Sequence, residues 1–167
     1  MKYLIRKSSR EDCKDIAHLI TIVWNETYRG IVSDDFLNQL YENEDERSNN
    51  LYKEFNDNDS HMLVLVIDGS IVGFVNVGET SDENYDKCGE IYALYVLSKY
   101  HGQGYGKKLF SAGVDELKNM GYSKMLIGCL DGNLSNRFYE HMGGRYIKTR
   151  LFERLQLPEN IYYFENI

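Results

Sequence analysis

The period of apolar and polar positions changes several times along the chain, and each change marks an element. Tyr3-Leu4-Ile5-Arg6 predicts a short strand, and the Ser8-x-x-Glu11 spacing that follows is the capping pattern that opens a helix. Ile16, Leu19/Ile20, Val23/Trp24 and Tyr28 recur every three to four positions, which predicts an amphipathic helix ending near Gly30. Residues 36–40 and 51–55 predict one or two further short helices. Residues 62–67 and 71–77 are β-branched runs around Asp68-Gly69-Ser70, the signature of a hairpin.

Residues 90–96 (EIYALYV) predict a third long strand, followed by a glycine-rich run over 101–106. Leu109, Gly113, Leu117 and Met120 then fall on one helical stripe that stops at Gly121. Residues 124–130 return to strand, 133–142 form a short helix closed by Gly143-Gly144, and β-rich stretches at 145–155 and 161–164 finish the chain. Leu134, Phe138 and Met142 are expected to form the buried stripe of that short helix. Tyr139, about 100° around the axis, would then face a cleft. The last stretch, 161–164, is expected to lie exposed and to offer an edge for a homodimer. The sum is a single α+β domain over residues 1–167, with a mostly antiparallel sheet carrying helices on both faces.

Composition narrows this picture. A chain of 167 residues with 43% hydrophobic and 27% charged residues and one proline can build a core and is not a disordered or repeat polymer. Its longest apolar run, 62–67, is too short to span a bilayer, and charge returns at Arg6 before any signal-peptide core forms, so a soluble cytoplasmic protein is expected. Cys13, Cys88 and Cys129 are odd in number and widely spaced, and the four histidines are scattered, so neither a disulfide framework nor a metal site is expected. The net charge of −7 argues against nucleic acid as a partner. That charge is uneven: residues 26–46 hold seven acids against Arg29 alone, and residues 79–86 hold four acids and no base. Two solvated faces would explain this, as would separate places for a cation and an anion.

The run His101-Gly102-Gln103-Gly104-Tyr105-Gly106-Lys107-Lys108 lies between a strand and a helix, where small residues and free N–H groups suit a phosphate. Two lysines in the first helical turn oppose the helix dipole, which an anion would offset. A Walker loop requires glycine at position 101, which is histidine, and a dinucleotide fingerprint requires a two-residue spacer before the last glycine. Both readings fail.

Leu94-Tyr95-Val96, His101-x-x-Gly104-x-Gly106, the segment Asn133-Leu134-Ser135-Asn136-Arg137-Phe138-Tyr139-Glu140 and Gly143-Gly144 together resemble the GNAT family of N-acetyltransferases. The order of elements resembles it along nearly the whole chain, and implies a mixed sheet of about seven strands. One departure stands out, since the family's loop usually begins with Arg or Gln where this chain has His101. The resemblance implies acetyl-CoA as co-substrate, with the pyrophosphate on the main chain of His101, Gly102, Gln103, Gly104, Tyr105, Gly106 and Lys107. The pantetheine arm would pair with Leu94, Tyr95 and Val96 as an added strand and meet Asn133, which a helix cap would also explain. Tyr139 is implied as the general acid for the leaving thiolate. An alkylamine is unprotonated at pH 7 only about once in 2,500 molecules, so a base is needed, and Glu90 takes that place, with Glu79 second. Trp24 and Tyr28 lie four apart on the first helix, where core packing competes with a role at the acceptor site. With the acidic windows they would suit a polyamine-like cation. The alternative acceptor is the α-amine or a lysine of a protein, and the alternative to an enzyme is a non-catalytic acyl-CoA-binding module.

Overall fold

The computed structural model describes residues 2–167. Seven strands form one sheet in the order β1-β2-β3-β4-β5-β7-β6, accompanied by five α-helices. The chain folds as two compact units, one running to Asn76 and including Ala93–Ala112, the other holding Val77–Tyr92 and Gly113–Ile167.

In the first unit, β1 (Tyr3–Lys7) pairs antiparallel with β2 (Met62–Ile67), which pairs antiparallel with β3 (Ser70–Glu79). The turn between β2 and β3 has positive φ at Asp68 (48°) and Gly69 (83°), the geometry that Asp-Gly favours in a two-residue hairpin loop. Helix α1 (Cys13–Tyr28) lays Ile16, Leu19 and Val23 on Val64 and Phe74 of the sheet, forming one buried cluster of the unit. Helices α2 (Asp34–Glu42) and α3 (Glu44–Glu54) are longer than the two apolar clusters at 36–40 and 51–55, because acidic first turns and the Ser33 cap, whose hydroxyl accepts from the Phe36 N–H, extend them.

The entry to α1 differs from expectation by one residue. The reciprocal pair is Ser9 and Asp12, not Ser8 and Glu11: the Ser9 N–H donates to Asp12 Oδ2 at 2.7 Å. Asp12 also receives both terminal nitrogens of Arg6, at 2.7 and 2.9 Å. The shorter side chain reaches the cap and the strand at once, which Glu11 does not. The Arg6 hydrogen bonds hold the Asp12 carboxyl below its ordinary range.

In the second unit, β5 (Met125–Leu130) pairs antiparallel with β7 (Leu157–Phe164), and β7 with β6 (Arg145–Phe152). Strand β4 (Gly89–Val96) runs parallel to β5, with the register Gly89↔Met125 to Ile91↔Ile127, and continues to Val96 beyond it. Cys88, Leu126 and Ile161 are fully buried together there. The segment 161–164 is therefore not an exposed edge. It lies inside the sheet, and the edge strand is β6, so the expected dimer surface at 161–164 is absent. No helix among the described residues is long and apolar enough to cross a membrane.

Candidate active site

Within the first unit, β4 leads through a single 3-10 turn (Ser98–Tyr100) to the glycine loop and helix α4 (Tyr105–Asn119). The side chain of Glu26 on α1 holds that turn: its two oxygens accept from the Ser98 N–H and the Ser98 hydroxyl, each at 2.9 Å. Gly102 (φ 72°) and Gly104 (φ 81°) need the left-handed conformation that only glycine adopts without strain. The first hydrogen bond of α4 runs from the Lys108 N–H to the Gly104 carbonyl at 3.2 Å, so the N–H groups of Tyr105, Gly106 and Lys107 precede the ladder.

Gly106 decides whether this is a cradle or a turn. It has ordinary helical backbone, and a Cβ built on it would meet nothing within 4 Å. Glycine inside a helix costs roughly 1 kcal/mol relative to alanine. Nothing in the fold requires that cost, whereas an anion drawn against the first-turn N–H groups does, so these residues fit a pyrophosphate. Lys107 is exposed, while Lys108 is turned aside, donating to the Tyr3 hydroxyl at 3.1 Å. The His101 side chain points back to the end of β4, with Nε2–H donating to the Val96 carbonyl at 2.7 Å.

Trp24 and Tyr28 come together with Tyr95 of β4. The Trp24 and Tyr28 rings are 4.7 Å apart, Trp24 and Tyr95 6.4 Å, and the Tyr28 and Tyr95 hydroxyls share a 2.8 Å hydrogen bond. Tyr28 is buried and Trp24 half-buried, with the Trp24 ring also 5.9 Å from Phe36, so core packing accounts for much of Tyr28 and for part of Trp24.

In the second unit, Glu90 is a buried carboxylate, 6% exposed, rather than a solvated strand end. The Thr80 hydroxyl donates to Oε2 at 2.6 Å and Arg150 Nη2 to Oε1 at 3.1 Å. Glu79 is exposed, and its carbonyl accepts from the Tyr92 hydroxyl.

Helix α5 (Ser135–His141) is rotated from the expected stripe, of which Phe138 and Met142 are half-buried and Leu134 is not buried at all. Leu134 is 84% exposed and Tyr139 5% exposed. Leu134 precedes the helix as its cap residue and so is not a member of the helical face at all. The inward face is Asn136 and Tyr139, one turn apart, with the Tyr139 ring against Phe138 at 5.4 Å and Tyr162 at 6.3 Å. Asn133 caps from one position further out: its Oδ1 accepts from the Ser135 N–H at 2.9 Å. Asn136 Nδ2 donates to the Leu130 and Asn133 carbonyls, and its Oδ1 accepts from the Tyr162 hydroxyl at 2.8 Å. Burial pushes the Tyr162 hydroxyl up to about 12, which leaves Tyr162 a donor at all ordinary pH values.

The sequence model of the acetyltransferase (GNAT) family matches residues 24–144. The chain belongs to this family. An uncharacterized N-acetyltransferase of Bacillus subtilis (strain 168), YuaI, is 33% identical over 155 residues, covering 89% of this chain and 84% of its own. Among solved structures, the PaiA N-acetyltransferase of Thermoplasma acidophilum in complex with coenzyme A has a TM-score of 0.78 at 21% identity, covering 98% of this chain and all of its own. An acetyltransferase of Salmonella typhimurium with acetyl-CoA, yncA, has a TM-score of 0.66 at 20% identity, over 98% of this chain and 94% of its own. These two share the fold. Membership makes the protein an acetyl-CoA-dependent N-acetyltransferase, and the glycine loop at the start of α4 fits that co-substrate.

Four contributors escape a reading of the GNAT motifs alone. Thr80, Arg150 and Glu159 surround Glu90, and Glu26 grips the turn before the loop. Arg150 is 60 residues from Glu90 in the chain and Glu26 is 72 from Ser98, so no local spacing signals them.

Proposed function

We propose that this GNAT enzyme acetylates a primary amine of a polyamine-like cation, by direct attack of the amine on acetyl-CoA. The co-substrate supplies an activated thioester carbonyl and a thiolate leaving group. The main-chain N–H groups of residues 101–107 and the Lys107 ammonium bind its diphosphate, and the backbone of Leu94, Tyr95 and Val96 holds its pantetheine arm, with Asn133 as a further hydrogen-bonding partner. A main-chain N–H of that strand also donates to the thioester oxygen, a contribution of roughly 3 kcal/mol in the transition state.

Glu90 takes a proton from the substrate ammonium, which frees the nitrogen lone pair. As the new N–C bond forms and the C–S bond breaks, Tyr139 gives its phenolic proton to the departing sulfur, and the second proton, shed by the nitrogen as it becomes an amide, returns to the tyrosine through solvent. The phenol lies within about two pKa units of a thiol, so the transfer is uphill yet accessible. Glu79 adds negative charge toward the acceptor.

The observation that carries the acceptor class is the aromatic group of Trp24, Tyr28 and Tyr95, set on a chain whose residues 26–46 hold seven acids against one base. A ring face and a surplus of carboxylates both attract an ammonium. The test is a panel of spermidine, an aminoglycoside and lysine or N-terminal peptides, with products read by mass. The expected result is acetylated spermidine, with a KM that rises several-fold between low and physiological salt as the charges are screened. Acetylation of peptides alone would replace the polyamine reading with the protein-acceptor one. Tight binding of acetyl-CoA without any acetylated product would support a non-catalytic module.

A further inference from the structure

The site around Glu90 contains more charge than one base requires. Arg150 lies between two buried carboxylates: its Nε donates to Glu159 Oε1 at 2.5 Å and its Nη2 to Glu90 Oε1 at 3.1 Å. Glu159 is 7% exposed, close to the 6% of Glu90. One guanidinium against two carboxylates leaves one surplus negative charge in a buried place, which is costly to keep unless it has a use.

The backbone is arranged for this contact. Arg150 and Glu159 are register partners on β6 and β7, so the shorter of the two bonds is made between neighbouring strands. Glu90 is on β4, with β5 standing between β4 and β7 in the sheet order. At that interval β5 carries Gly128, where a Cβ would come within 2.5 Å of Glu159 Oε2. Glycine in a strand interior weakens the strand and commonly marks a place where another group must approach. Here the approaching group is the Glu159 carboxylate.

Thr80 and Arg150 fix both oxygens of Glu90, which sets the direction of its remaining lone pairs. By itself a facing guanidinium would make the carboxylate a poorer base. Glu159 counters this by taking the shorter share of the same guanidinium. We infer that Arg150 and Glu159 are positioning residues for Glu90: Arg150 orients the carboxylate, and Glu159, by drawing Arg150 away, maintains its basicity. This rests on Glu90 being the base.

The other titratable groups in the neighbourhood are Cys88 just before β4, Tyr92 on β4, Glu79 at the end of β3, Asp82 in the β3–β4 connection, Tyr122 and Lys124 ahead of β5, and Cys129 on β5. Asp82 is neutralised by Lys148 at 2.5 Å. Burial, with Glu159 adding to it, pushes Cys129 up to about 12, and Cys88 and Tyr92 are likewise raised, first by burial. All three are uncharged at neutral pH, and of the charged groups Arg150 touches Glu90 directly while Glu159 reaches it through Arg150.

The test follows the Glu90 carboxyl by carbon-detected NMR of the full chain labelled at glutamate, with the Glu90 signal assigned by its loss in Glu90→Gln. In Glu159→Gln its titration midpoint is expected to fall, and in Arg150→Gln to rise, each by about one pH unit. Arg150→Lys keeps the charge if Arg150→Gln does not fold, and is expected to leave the midpoint near that of the wild type while lowering kcat about tenfold, because the planar fork is lost. The acid limb of kcat/KM for spermidine is expected to move with the midpoint in each variant. A cross-link that serves stability alone predicts lower melting temperatures and no paired movement of that limb. A midpoint that does not shift in opposite directions in the Glu159 and Arg150 variants overturns the inference. So does an acid limb that vanishes in Glu90→Gln yet stays fixed in the other variants. If the limb survives Glu90→Gln, the reading of Glu90 as base is what fails.

Discussion

Tyr139, the proposed general acid, is held on two sides by rings, Phe138 at 5.4 Å and Tyr162 at 6.3 Å, and so has little rotameric freedom. A held phenol suits a general acid, because the proton is delivered from one direction. Tyr139→Phe keeps the ring packing and removes only the hydroxyl. It is expected to lower kcat about 100-fold, with KM for acetyl-CoA within a few-fold of the wild type and an almost unchanged melting temperature. A second residue-scale expectation concerns stability. The Asp12 carboxyl is held below its ordinary range by Arg6, so its contribution is present above the unfolded carboxylate value, near 4, and is lost as pH falls through the lower folded value. Asp12→Asn should therefore cost about 2 kcal/mol at pH 7 and progressively less in denaturation curves taken toward pH 3.

The glycine loop allows two roles of one residue type to be separated at the scale of an element. Gly104, with φ at 81°, is needed by the backbone itself, while Gly106 has helical geometry and open space around it. Gly104→Ala is expected to lower the melting temperature. Gly106→Ala should raise it, by an amount corresponding to roughly 1 kcal/mol, and yet weaken acetyl-CoA binding tenfold or more in titration calorimetry. The hairpin, the strand-loop-helix around residues 101–106 and helix α1 were legible in the sequence because each is specified by neighbours a few positions apart. The orientation of α5 was not. Leu134 looks like the first residue of an apolar stripe, but it lies before the helix, and the polar Asn136 is drawn inward by the Leu130 and Asn133 carbonyls. Strand order also escapes local patterns, which is why residues 161–164 read as an exposed end although they lie between β5 and β6. The surroundings of Glu90 were hidden for the same reason, since the paired Arg150 and Glu159 of β6 and β7 arrive from a part of the chain some 60 residues away.

For the molecule as a whole, the net charge of −7 is concentrated in a few segments, and the helices α2 and α3 carry Asp34, Asp35, Glu42, Asp45 and Glu46 on exposed positions. The glycine loop, by contrast, carries Lys107 beside first-turn N–H groups. This separation suits a protein that takes an anionic co-substrate and a cationic acceptor, and it accords with membership of the GNAT family. The most direct measurement is release of free CoA thiol from acetyl-CoA by the full chain, with and without amines. The expected result is slow release alone, a large increase on adding spermidine, and loss of that increase in Tyr139→Phe. Release that no amine accelerates, from a protein that binds acetyl-CoA tightly, would contradict it.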